Sequence, residues 1–180
     1  HKEYRRQRQM CIRDSLCRDV FNGRTWPDFF GLSTQADRFA RGTPLQPGVP
    51  VERAGLTVTP LPVSHCVDTL GMLVDDGRVA VAFPSDTGPT VEFWRRIAAC
   101  PRLSAVFLEC SWPQSMAALA ADTGHLCPAT FAAEVRKLDR DVRWIVVHRK
   151  ARYADEIARD LAALALPNVE LVRPGFAYEF

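Results

Sequence analysis

Three of the four histidines in this 180-residue chain stand where an apolar stretch ends or where a helix is about to begin. His65 follows Leu61-Pro62-Val63, His125 precedes Leu126-Cys127-Pro128, and His148 follows Trp144 to Val147. Asp86 and Glu109 occupy the same kind of position, each just past a short β-branched or apolar run. Imidazoles and carboxylates at element ends, if they converge on one edge of a sheet, suit a divalent metal held by nitrogen and oxygen in a site left open to water or substrate. A single strand-end histidine is more often an ordinary polar terminus, and a single Asp a turn or cap residue. The repetition points to a site.

The elements that must position these groups follow from the pattern around them. Phe83 to Thr90 reads Phe-Pro-Ser-Asp-Thr-Gly-Pro-Thr, so a strand over 78–83 stops, a carboxylate appears, Gly88 permits a change of direction, and Pro89 is expected in the first turn of a helix. Asp76-Gly77 ahead of that strand suits a hairpin turn closing a strand over 69–74. Leu56 to Val63 reads as a proline-spaced strand, and 33–55 as an exposed connection. Val20 to Leu32 is aromatic-rich and broken by Gly and Pro, hence a packed loop or turn. Downstream, helical stripes (Val91, Trp94, Ile97; Phe131, Val135, Leu138; Ile157, Leu161, Leu164) and a short helix over 116–121 alternate with strands over 105–108, 144–147, 169–172 and 176–180. This is an α/β layout with helices covering a sheet.

At 47% hydrophobic residues the chain is neither disordered nor of low complexity. No apolar run reaches the roughly 18–20 residues of a membrane span, so no membrane association is expected. The net charge of +2 hides an asymmetry, with seven Lys or Arg against three acids in residues 1–24 and a nearly neutral remainder. Nothing in the body resembles a nucleic-acid footprint. Residues 1–15 lack an apolar stripe and are read as a non-native or disordered tail, leaving 16–180 as the folded part. The six cysteines form no Cys-x-x-Cys pair and are read mostly as buried or half-buried thiols, which leaves compartment and localisation open.

Several motifs carry a closer likeness: Pro62-Val63-Ser64-His65; Ser85-Asp86-Thr87-Gly88-Pro89-Thr90 with Phe93-Trp94; Leu108-Glu109-Cys110-Ser111; Gly124-His125-Leu126 with Pro128; and Val147-His148-Arg149-Lys150. In this order they resemble the class II 3′,5′-cyclic nucleotide phosphodiesterases of the metallo-β-lactamase superfamily, and Val20 to Gly23 and Trp26 to Phe29 resemble that family too. The resemblance implies an α/β fold of the metallo-β-lactamase-like αβ/βα sandwich type. It also implies two divalent metal ions, zinc by preference, with His65 on one, His148 on the other and Asp86 bridging both. Glu109 and His125 resemble the acid and histidine that the superfamily's tRNA-processing nucleases use near the leaving group, which makes them the catalytic candidates. The implied substrate is a small cyclic nucleotide (cyclic AMP or cyclic GMP), opened to the nucleoside 5′-monophosphate.

The departures matter as much. The superfamily's H-x-H-x-D-H metal motif is nowhere in the sequence, and in the resembled family it lies upstream of Phe21-Asn22-Gly23. The fold is therefore expected to be incomplete at the N-terminus, and the activity to belong to a longer parent. Ser85 stands where the family has Gly, Ala151 where it commonly has Pro, and Cys127, in place of Thr, is a candidate stray soft ligand. Three rivals stand beside this reading. One is an aspartic-protease half-site built on Asp86-Thr87-Gly88, which the helices after Asp86 argue against. The others are a different phosphodiester hydrolase on the same fold and a catalytically inert partial domain.

Overall fold

The computed structural model describes residues 15–32 and 43–180, so the tail expected over 1–15 lies outside the described residues except for Ser15. The chain forms two compact units, residues 1–45 and 46–180. In the first, Leu16–Val20 makes one π-type helical turn. Asn22 closes the loop that follows, its Oδ1 accepting the backbone N–H groups of Arg24 and Thr25 at 2.9 Å each. Phe21 packs on Phe29 and Phe30 with ring centres 5.3 and 5.9 Å apart, which gives the packed aromatic turn expected of this stretch.

The second unit is built on one seven-stranded sheet in sequential order: β1 (Val51–Arg53), β2 (Leu56–Pro62), β3 (Leu70–Asp75), β4 (Ala80–Phe83), β5 (Leu103–Glu109), β6 (Arg143–Val147) and β7 (Val169–Leu171). Strands β1 to β4 pair antiparallel and β4 to β7 parallel. Antiparallel neighbours need only tight turns, and Asp76 makes one by accepting the N–H groups of Arg78 and Val79 at 2.8 and 2.7 Å. Parallel neighbours need crossovers, supplied by the helices α1 (Glu92–Ala98), α2 (Ala117–Asp122), α3 (Pro128–Val135) and α4 (Ala154–Ala163). Register places Ala82 beside Val106, Val106 beside Trp144 and Leu108 beside Val146. These side chains share one face of the sheet and form a core with Phe93, Trp94 and Ile97 of α1, Phe131 and Val135 of α3, and Ile157 and Leu161 of α4. Among the described residues no helix is long and apolar enough to cross a membrane.

Four expectations are corrected. Pro89 is not in a helical first turn: α1 starts at Glu92, because the preceding loop is tied down elsewhere. Buried Glu134 on α3 accepts the Thr90 N–H at 3.1 Å and the Trp94 indole N–H at 2.5 Å, while Lys137 donates to Glu134 at 2.5 Å and to the Thr90 carbonyl at 2.7 Å. Val91 accordingly lies ahead of the helix, 71% exposed, and Phe93 takes its place in the stripe. The connection over 33–55 contains the edge strand β1, joined to β2 through Ala54 and Gly55, both at positive φ (50° and 80°). Residues 176–180 form no strand; their rings cluster on the sheet face opposite the helices. Tyr178 and Phe180 pack edge-on to Phe107, and the Arg143 guanidinium lies 5.2 and 5.7 Å from their ring centres.

Candidate metal centre

Strand direction decides where the five chemistry-bearing residues go. Strands β4, β5 and β6 are parallel, and β2 is antiparallel to β3, itself antiparallel to β4, so the carboxyl ends of all four lie at one edge of the sheet. His65, Asp86, Glu109 and His148 lie at or just beyond these ends. His125 reaches the same edge on the loop between α2 and α3, held where Ser111 and Trp112 donate their N–H groups to the Leu126 carbonyl at 3.1 and 3.2 Å. Ligand-capable atoms of His65, Asp86 and His125 lie within 4.8 Å of one another, and so do those of Glu109, His125 and His148. The His125 ring centre is 4.8 Å from that of His65 and 5.5 Å from that of His148.

Burial grades across the group. Glu109 is fully buried, the His125 side chain is 10% exposed, and those of Asp86 and His148 are 44% and 41% exposed. Glu109 accepts four hydrogen bonds: from the Thr87 N–H at 2.7 Å, His125 Nδ1 at 2.7 Å, the Ser111 hydroxyl at 2.6 Å and the Leu126 N–H at 3.3 Å. With its lone pairs spent in this way, it holds other groups in place and is poorly suited to touching substrate. The first of those bonds fixes the loop that carries Asp86. Gly88 donates its N–H to the Ser64 carbonyl at 2.6 Å, which ties that loop to the one bearing His65.

The donor set fits a metal ion. His65 Nδ1 lies 2.8 Å from the Gly124 carbonyl, which only accepts, so Nδ1 carries the proton and Nε2 keeps its lone pair. His125 is held in the same sense, Nδ1 toward Glu109. The Nε2 lone pair of His65 and the half-exposed carboxylate of Asp86 thus offer nitrogen and oxygen donors suited to borderline cations such as zinc. Two neighbouring residues stand in the left-handed backbone region that side chains disfavour, Ser85 at φ 61° and His148 at φ 55°. The expected stray ligand Cys127 is taken up elsewhere: it is buried, and its sulfur lies 3.5 Å from Thr130 Oγ1 at the start of α3. Cys110, also buried, has its thiol pKa pushed well up by desolvation.

Two residues that the sequence offered only as parts of motifs, with no role assigned, complete the arrangement. Ser111 is fully buried, with its hydroxyl in contact with Glu109 and His148, and Gly124 supplies the carbonyl that orients His65. The sequence signal for Ser111 is its place in the Leu108-Glu109-Cys110-Ser111 motif, two residues past Glu109, which assigned it no role.

No protein-family model and no curated protein matches this chain. Solved structures do. The metallo-beta-lactamase fold protein YhfI from Bacillus subtilis matches with a TM-score of 0.66 at 17% identity, over 85% of this chain and 61% of that one. Zn(2+)-bound PqqB from Methylobacterium extorquens matches with a TM-score of 0.56 at 16% identity, over 76% and 55% of the two chains. Human tRNase Z, short form, matches with a TM-score of 0.51 at 15% identity, over 68% and 42%. The chain has the metallo-β-lactamase fold, and it spans 61% or less of the length of each of these relatives.

Proposed function

We propose that this chain belongs to a metal-dependent phosphodiester hydrolase whose substrate is a 3′,5′-cyclic nucleotide, opened to the nucleoside 5′-monophosphate. The observation that carries the reading is the convergence of His65, Asp86, His125 and His148 at one sheet edge, with buried Glu109 behind them. In this reading His65 and His148 would each hold a metal ion and Asp86 would serve both. Bound there, the ions would supply an activated water and a positive field against the phosphodiester oxygens. His125 is held through Nδ1 by Glu109, which leaves Nε2 to carry a proton toward the departing sugar oxygen. The same buried pair, at 2.7 Å, favours as second reading a nuclease-like hydrolase acting on a longer phosphodiester.

Three ligands, one of them shared, fall short of the three or so per metal that open catalytic sites use. Turnover is therefore assigned to a longer protein that adds an H-x-H-x-D-H segment, and the 180-residue chain alone is expected to show little. The test pairs the two proteins with added zinc or manganese on cyclic AMP, cyclic GMP and a tRNA precursor. Metal-dependent cleavage of a cyclic nucleotide by the longer protein only is the expected result. Equal turnover by the short chain would refute the ligand count, and cleavage of the tRNA precursor alone would select the second reading.

A further inference from the structure

The Ser111 hydroxyl, fully buried, has more partners than protons. Its Oγ lies 2.6 Å from Glu109 Oε2, 2.9 Å from His148 Nδ1, 3.1 Å from the His148 carbonyl and 3.3 Å from His125 Nδ1. A serine donates once and accepts twice. The carboxylate offers the shortest contact and the stronger acceptor, so the hydroxyl proton goes to Glu109. What remains on Oγ is lone pairs, and a lone pair facing His148 Nδ1 requires a proton on that nitrogen. The second neighbour of this nitrogen agrees, for Asp86 Oδ1 lies 3.1 Å away and is also an acceptor.

We propose that Ser111 is a positioning residue through which Glu109 fixes the orientation and tautomer of His148, as it fixes those of His125 directly. One buried carboxylate thus sets two imidazoles, each with Nδ1–H turned inward, and on His148 this leaves Nε2 as the lone-pair nitrogen. Ser111 is needed because Asp86 has a competing role. As a metal ligand Asp86 would commit its oxygens to the ion, which would leave the serine to hold Nδ1–H. The tautomer part stands on the chain itself, and the consequence for metal affinity rests on the reading proposed above.

With four histidines in the chain, the imidazole tautomers can be read directly by nitrogen-15 NMR of the full, metal-free protein. His148 is expected as the Nδ1–H tautomer in the wild type and in Asp86→Ala, where Ser111 is the remaining acceptor. In Asp86→Ala combined with Ser111→Ala it should revert to the Nε2–H form that free imidazole prefers. An Nε2–H tautomer in Asp86→Ala, or an unchanged Nδ1–H in the double variant, overturns the proposal. If removal of the hydroxyl prevents folding, the Asp86→Ala spectrum decides alone. A calorimetric zinc measurement provides the second arm: Ser111→Ala should bind about 10- to 100-fold more weakly, with Ser111→Thr restoring most of the loss. Wild-type zinc affinity in Ser111→Ala would refute the positioning role. A wild type that binds no zinc but shows the expected tautomers would sink the metal centre and leave the serine's role standing.

Discussion

Gly124 stands at φ 68°, and its carbonyl takes the Nδ1 proton of His65. A Cβ added there would sit 2.9 Å from the Cys66 nitrogen and 3.2 Å from His65 Nδ1, contacts that the backbone cannot relax cheaply. Gly124→Ala should therefore push the His65 ring off its carbonyl, lower zinc affinity by roughly tenfold or more and cost roughly 1–3 kcal/mol of stability. Calorimetry and thermal unfolding check both, and undiminished zinc binding would show that this carbonyl does not aim the ring. The contrast with His65 shows what the sequence can disclose. A histidine or carboxylate at a strand end announces its chemistry by its type alone. Gly124 and Ser111 acquire meaning only from partners 59 and 37 residues away in sequence, His65 and His148.

Elements are legible in the sequence where periodicity is strong and obscure where a distant contact decides. Strands β4 to β6 and helix α3 lie close to where the apolar pattern puts them, since their buried faces repeat cleanly. The start of α1 does not, because Glu134, more than forty residues downstream, claims the backbone that would have opened it. Strand β1 escapes the pattern because an Ala-Gly pair is a weak turn signal, and 176–180 mimics a strand because alternating aromatics describe a packed tail equally well. At the far end of the sheet, Arg102 ahead of β5 bonds Asp75 at the end of β3, with contacts of 2.6 to 3.1 Å. That hydrogen bond, outweighing the opposing effect of partial burial, holds the Asp75 carboxyl below its ordinary pKa. A depressed carboxylate contributes stability above its unfolded pKa, about 3.9, and loses it as pH falls through the folded value. Wild type should therefore exceed Asp75→Asn in urea-unfolding midpoint at about pH 6, with the gap closing below about pH 4. A gap that persists unchanged to about pH 2 would discard the pair as its source.

At the scale of the molecule, every residue of the apolar core among the described residues lies between Leu61 and Leu171, within the second compact unit. A protein comprising 46–180 alone is accordingly expected to melt cooperatively within a few degrees of the full chain, as followed by circular dichroism. Loss of its transition would show that the first unit is required. The sheet itself changes from antiparallel to parallel at β4, and the candidate ligands straddle the change: His65 and Asp86 come from the hairpin half, His148 from the crossover half. A cation gripped by both would act as a cross-link between distant stretches of chain, much as a disulfide does. The entropy of closing so long a loop in the unfolded chain is large and nearly indifferent to added length. Zinc at roughly a hundredfold excess over its dissociation constant should then raise stability by about 2.7 kcal/mol, read as a higher melting midpoint than in a chelator. An unmoved midpoint would exclude the staple, whereas a raised one would mean that metal supply governs how long this fold survives as well as what it can do.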